Sequence, residues 1–230
     1  MFHNYSMSER LSSFMYGVYT WMACALAVTA CTAYSISLFP QAFAVIYAFR
    51  FPIFLVQFGL VMGLSWFLHR LSLTSALLMF LLYSVLIGVT FSFIFYVYTM
   101  ASIISTFLTV AGMFGGMAIY GYMTRTDLTA IGNIAIMMLW GLILGLFVNK
   151  FFHNPGIDYM LSGAGVIIFT LLTAYDVQKI KQIGQQVLVN QEEMEQGTIE
   201  KATILGALTL YLDFINLFLF LLRFMGKRRN

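Results

Sequence analysis

Charge is what this sequence has least of. Nine acids and twelve lysines or arginines make up 9% of 230 residues, where soluble domains carry roughly a quarter. With 61% hydrophobic residues, the chain reads as a single membrane domain with little left over for a soluble one. Cysteine is also scarce. Cys24 and Cys31 lie seven apart in one apolar run, about 10 Å along a helix. That is too far for a disulfide, so they read as packed thiols and leave the redox compartment open. Metal-ligand patterns are missing: His3, His69 and His153 fall in different terminal segments, with no HExxH or CxxC spacing. This argues against a metal enzyme. The net charge of +3 sits mostly in the tail Lys227, Arg228, Arg229, which suits a membrane flank meeting anionic headgroups. No second basic patch supports a nucleic-acid partner.

What the chain does have is long apolar runs. A bilayer span needs about 20 such residues, and seven segments qualify: about 14–39, 51–68, 73–98, 103–122, 131–152, 157–176 and 204–225. Pro40 ends the first, and His69 with Arg70 ends the second. From Leu71 to Thr124 there is no charge at all, a stretch long enough for two helices with a break near Tyr98 to Ser105. The first segment is longer than a signal-peptide core and more spans follow, so it reads as a retained helix. No period-two barrel pattern is present, so the predicted class is all-α, with seven transmembrane helices. Gly59 and Gly63, Gly112 and Gly116, and Gly141 and Gly145 are small-residue pairs of the kind that lets helices approach closely. Val177 to Lys201, with Glu192, Glu193, Glu195 and Glu200, is expected to be a solvated charged loop. Lysines and arginines divide evenly between the two faces, so charge does not orient the bundle.

Two acids lie inside or at the edge of a span, Asp176 in TAYDVQK and Asp213 in the last segment. A central Asp costs about 2.5–3.5 kcal/mol on helix-insertion scales, so each should face protein or water and have a partner. The end of the sixth span and the start of the seventh lie on the same membrane side as Arg70. Two carboxylates and one guanidinium thus gather near one face. Close carboxylates do not both ionise easily and titrate as a pair, which makes the trio a candidate proton-sensitive latch. The plainer alternatives are a pair between Asp176 and Lys179 and a structural hydrogen bond from Asp213. Gly206, Thr209, Asp213, Asn216, Phe220 and Arg223 follow three- and four-residue steps along one helix face. Thr209, Asn216 and Arg223 could line an ion path or serve only as structural hydrogen-bonders.

FGGMAIYGYMTRTDLTAIGN (114–133), LTAYDVQKIK (172–181) and ILGALTLYLDFINLFLFLLRFMG (204–226) resemble signature segments of the Bax inhibitor-1 family, also called the transmembrane BAX inhibitor motif family. FMYGVYTWM (14–22) is similar too, so the likeness spans nearly the whole chain. A short amino terminus with no proline-rich extension looks closest to the bacterial branch, which implies the cytoplasmic (inner) membrane with the amino terminus inside. The resemblance implies a carboxy-terminal helix at the centre, wrapped by the other six. It also implies a pH-sensitive calcium leak in which Asp176 and Asp213 form a hydrogen-bonded pair latched by Arg70. Calcium would then be the permeant ion, passing near Asp176 and Asp213, with no cofactor and no stably bound metal. Members are further described as restraining cell death, and some bacterial ones as modulating a membrane protease.

Rival classes have their own signatures. Intramembrane aspartyl proteases also use two aspartates on consecutive helices, and Tyr175-Asp176 resembles their Tyr-Asp motif. Asp213, however, follows Leu-Tyr-Leu instead of Gly-x-Gly, and no Pro-Ala-Leu motif follows. The reading is therefore not an enzyme. A non-conducting regulator that binds another membrane protein is the main alternative. A proton-coupled transporter would differ by saturable solute uptake.

Overall fold

Lipid offers the backbone no hydrogen-bond partner, so a chain this apolar satisfies its amides within helices. The computed structural model describes residues 6–67, 71–190 and 197–229. Among them the elements are α1 (Met7–Ser37), α2 (Pro40–Ala48), α3 (Arg50–Phe67), α4 (Leu73–Phe91), α5 (Ile94–Val97), α6 (Met100–Met123), α7 (Thr129–Phe152), α8 (Pro155–Val189) and α9 (Thr198–Met225). Seven stretches are long and apolar enough to cross a membrane, α4 and α5 together making one. No strand occurs among the described residues; one isolated bridge joins Tyr98 and Arg228.

Local chemistry sets the ends. Ser6 and Glu9 form a capping box at the start of α1, with Ser6 N donating to Glu9 Oε2 at 2.7 Å. Pro40 stands after the end of α1, where the sequence placed a stop, and also opens α2, an additional helix that sequence reading did not foresee. Thr99 caps α6 by accepting from Ser102 N at 3.3 Å. His153 closes α7 in the left-handed region at φ 50°, and Asn154 then caps the turn into α8 through Gly156 N at 2.9 Å.

The expected charged loop is corrected in part. Helix α8 continues past Asp176 to Val189, and Val177, Ile180, Val187 and Leu188 are buried. Its apolar residues recur at helical spacing between the charges, and burial of that face overrides the polar composition. Glu192, Glu193 and Glu195 lie outside the described residues. Glu200 lies in the first turn of α9.

Two compact units divide the chain, Met1–Val97 with Ile180–Tyr211, and Tyr98–Lys179 with Leu212–Asn230. In the first, α1 and α4 cross closely at Gly88, where a Cβ would lie 2.7 Å from Thr29 O. Gly184 on α8 meets the Phe14 ring of α1 in the same way, at 2.6 Å. The second unit holds α6, α7, most of α8 and the end of α9. The paired glycines of the sequence mostly do not make the close approaches: a Cβ at Gly59, Gly112, Gly116 or Gly141 would meet nothing within 4 Å. Contacts form instead at glycines without a partner four residues away. Of all the spans α9 is the most enclosed, with 67% of its apolar window buried against 11–39% for the others.

Candidate functional site

The second unit brings together two of the three sequence motifs described above. Gly121 on α6 lies directly against the backbone carbonyl of Ala174 on α8, and Gly132 on α7 lies under the ring of Tyr175. In both places a side chain would occupy space already filled. Between these glycines the α6–α7 turn is tied to α8 by one side chain. Gln178 Oε1 accepts from Leu128 N at 2.8 Å, and Gln178 Nε2 donates to Thr126 O at 2.9 Å. Residues 174–178 of α8 are thereby fixed on one side by glycine contacts and a bidentate amide.

Leu128 is 2% exposed and Gln178 8%, so water does not readily replace that clamp. A Gln178→Leu variant should lose about 1–3 kcal/mol, the cost of orphaning a buried backbone N–H, read as a lower midpoint of thermal unfolding in detergent. An unchanged midpoint would mean that the turn repairs the bond by itself. Asp127, exposed in the same turn, accepts from Thr129 N at 2.9 Å and from Thr129 Oγ1 at 2.6 Å. These bonds hold its carboxyl below the usual range. Its contribution to the turn is therefore complete above about pH 4 and is lost as pH falls through the lower folded value.

Asp176 stands in the middle of the fixed stretch, half-buried. Its carboxyl and that of Asp213 on α9 lie close enough to act on one another. A hydrogen bond between them would require a proton on one of the two, because carboxylates alone only accept. Asp213 is 5% exposed, and its Oδ2 has no hydrogen-bond partner among the described residues. Full charge on both groups in this setting would be strongly disfavoured by repulsion and lost hydration. Phe214, the next residue, is wedged edge-on between Phe107 and Phe114 of α6, each 5.5 Å away. This packing limits how far Asp213 can rotate.

The alternative pairing of Asp176 with Lys179 is not made as a salt bridge among the described residues. The Lys179 ammonium lies 5.6 Å from the Tyr175 ring centroid, a cation–π distance. Arg70, the counter-ion expected from the sequence, lies outside the described residues, as does His69. Thr209 Oγ1 donates to Leu205 O at 3.0 Å, and Asn216 Nδ2 donates to Leu212 O at 2.8 Å. Both are bonded within α9 itself. Arg223 is exposed, and its guanidinium lies 3.6 Å from Asp158 of α8. No group of three or more His, Cys, Asp or Glu side chains is placed to hold a metal among the described residues.

Sequence reasoning missed Gln178, Gly121, Gly132 and Tyr175 as supports of the pair. All four lie inside the quoted motif segments, but nothing in their spacing marks which of them touch.

Comparison with known proteins gives consistent matches. Residues 11–230 match the family model described as inhibitor of apoptosis-promoting Bax1. The chain is 44% identical to an uncharacterized protein of Borreliella burgdorferi, over 95% of this chain and 94% of that one. It is 42% identical to the inner membrane protein YbhL of Escherichia coli K12, over 95% of this chain and 93% of that one. Identity to a Rickettsia prowazekii protein is 35%, over 99% of this chain and 94% of the relative.

Proposed function

The chain belongs to the Bax inhibitor-1 family and is an integral protein of the bacterial inner membrane, and from that premise we propose that it is a pH-sensitive leak for calcium or related cations, gated through Asp176 and Asp213. The observation that carries the reading is the juxtaposition of two carboxyls, one on α8 and one on α9, with Asp213 buried and one of its oxygens unpartnered. The proton shared by this pair is the gating element. Removing it sets two like charges against each other, and adding a second neutralises the site. Either change alters the α8–α9 contact. A change of one pKa unit corresponds to about 1.4 kcal/mol of bias between two states, enough to shift populations several-fold.

In this reading Arg70 is the counter-ion, and the polar side of α9 with Thr209, Asn216 and Arg223 follows the ion path. Oxygen ligands suit calcium, and the pair together with Asn216 would supply them only transiently, as passage requires. No catalytic step is assigned to the aspartates.

The test is calcium flux into dye-loaded proteoliposomes from about pH 5 to about pH 8, for wild type and Asp213→Asn in parallel. Asparagine keeps the shape and a hydrogen bond to Asp176 but does not titrate. Wild-type flux should vary with pH, and the variant's should be flat. A variant with the wild-type profile overturns gating through the pair. Folded wild-type protein with no flux at any pH would instead support a non-conducting regulator of another membrane protein.

A further inference from the structure

The carboxy-terminal tail does not trail from α9; it is held in place. Gly226 N returns to Leu222 O at 2.8 Å, and a Cβ on Gly226 would come within 2.9 Å of the Tyr98 ring. Lys227 N then donates to Ser102 Oγ at 2.9 Å, and Thr99 N donates to Lys227 O at 3.2 Å. That last bond belongs to an antiparallel bridge between Tyr98 and Arg228. One side-chain and one backbone hydrogen bond thus hold Lys227 and Arg228 beside the start of α6, and the side chains of Lys227, Arg228 and Arg229 are exposed.

One further cation stands directly before the tail: Arg223, in the last turn of α9. One described acid is close by: Asp158, engaged by Arg223 at 3.6 Å. Lys227, Arg228 and Arg229 pair with no carboxylate among the described residues. Fixing three like charges side by side is unfavourable unless an anion compensates them. Aromatic side chains lie beside Arg223 where α9 ends: Tyr159 is stacked on Phe224 at 4.5 Å and remains exposed. Aromatic rings and cations at span ends are the features that meet a headgroup layer.

We propose that the pinned tail, together with Arg223, is a binding site for the phosphate of an anionic phospholipid. The ligand chemistry is a phosphodiester anion, and the exposed aromatic rim favours one that carries acyl chains over free phosphate. Ser102 and Thr99 act as positioning residues through the tail backbone.

Native mass spectrometry of the full-length protein in neutral detergent tests this, titrating phosphatidylglycerol, phosphatidylcholine or inorganic phosphate. Each basic residue near an anionic surface contributes about fivefold in affinity. The Lys227→Gln/Arg228→Gln/Arg229→Gln protein should therefore lose about a hundredfold of its preference for phosphatidylglycerol over phosphatidylcholine. Ser102→Ala retains every charge but frees Lys227 N, and its preference should fall several-fold. Because the altered cations are exposed, unfolding is not expected, and size-exclusion profiles check it. Three results overturn the proposal: no lipid preference in wild type, a triple variant that keeps the preference, or inorganic phosphate displacing the lipid at equal concentration. An unchanged Ser102→Ala protein would overturn the positioning by the tail backbone.

Discussion

Gly121→Val should abolish recovery of folded protein, while Gly112→Val on the same helix should behave as wild type. The two glycines differ only in what they face. Beyond Gly121 stands the main-chain carbonyl of Ala174, whereas no atom lies within 4 Å of a Cβ built at Gly112. A side-chain neighbour could rotate away, but a backbone carbonyl in the middle of α8 moves only if the helix moves. Overpacking typically costs about 1–3 kcal/mol, and a contact that forces two helices apart belongs at or beyond the upper end. In lipid the loss is not offset by burying the added methyls, because the bilayer is as apolar as the protein interior.

The consequence extends to the aspartate pair. Ala174 is two residues before Asp176, so displacing α8 at this point also displaces the carboxyl that meets Asp213. Gly121→Ala, with the smaller insertion, should fold in reduced yield and, under the proposed leak, alter the pH profile for flux. The check is the monodisperse fraction after detergent extraction, with Gly112→Val as the control. Equal recovery of Gly121→Val and Gly112→Val would show that the α6–α8 approach is looser than described.

Tyr211→Ala should be the most damaging single truncation in the first unit, at about 3–5 kcal/mol. Tyr211 is fully buried, with its ring set edge-on to Phe80 at 5.8 Å and to Tyr83 at 6.0 Å. Its hydroxyl is 2.7 Å from Thr29 Oγ1, which in turn donates to Ser84 O at 3.0 Å. Since the single Thr29 proton goes to Ser84, the tyrosine hydroxyl is the donor to Thr29. The cost of truncation comes mainly from lost packing around the ring. Tyr211→Phe retains the ring and leaves Thr29 its bond to Ser84, so it should cost about 1 kcal/mol. Thermal unfolding of the two variants in one detergent measures the gap, and a Phe variant as unstable as the Ala variant would reverse the assignment.

Asp213 and Asp176 could be singled out from sequence because charge is costly in an apolar helix whatever its neighbours. Their partnership was less legible. Spacing along two helices gave only a shared depth, and the likeness to a known family is what suggested a bonded pair. The extension of α8 through Val189 was concealed by its composition, since Lys179, Lys181 and several glutamines look solvated until the buried face of Val177, Ile180 and Val187 is seen. Glycine was misleading in another way. Regular pairs such as Gly112 and Gly116 drew notice, while the glycines in tight contact, Gly121 and Gly132, stand eleven apart on different helices.

By itself the sequence determined that this protein is helical, spans a membrane seven times and carries two acids where acids are costly. Those properties follow from local rules: lipid compels each segment to satisfy its own backbone, and a 20-residue apolar run needs no knowledge of its neighbours. Only the tertiary structure decided that Asp176 meets Asp213, that Gln178 clamps the α6–α7 turn, and that the basic tail is tied to Ser102 and Tyr98. Each of these joins residues tens to more than a hundred positions apart. Such contacts depend on which helix faces pack, and that choice is made by side-chain shape across helices rather than by any pattern along one.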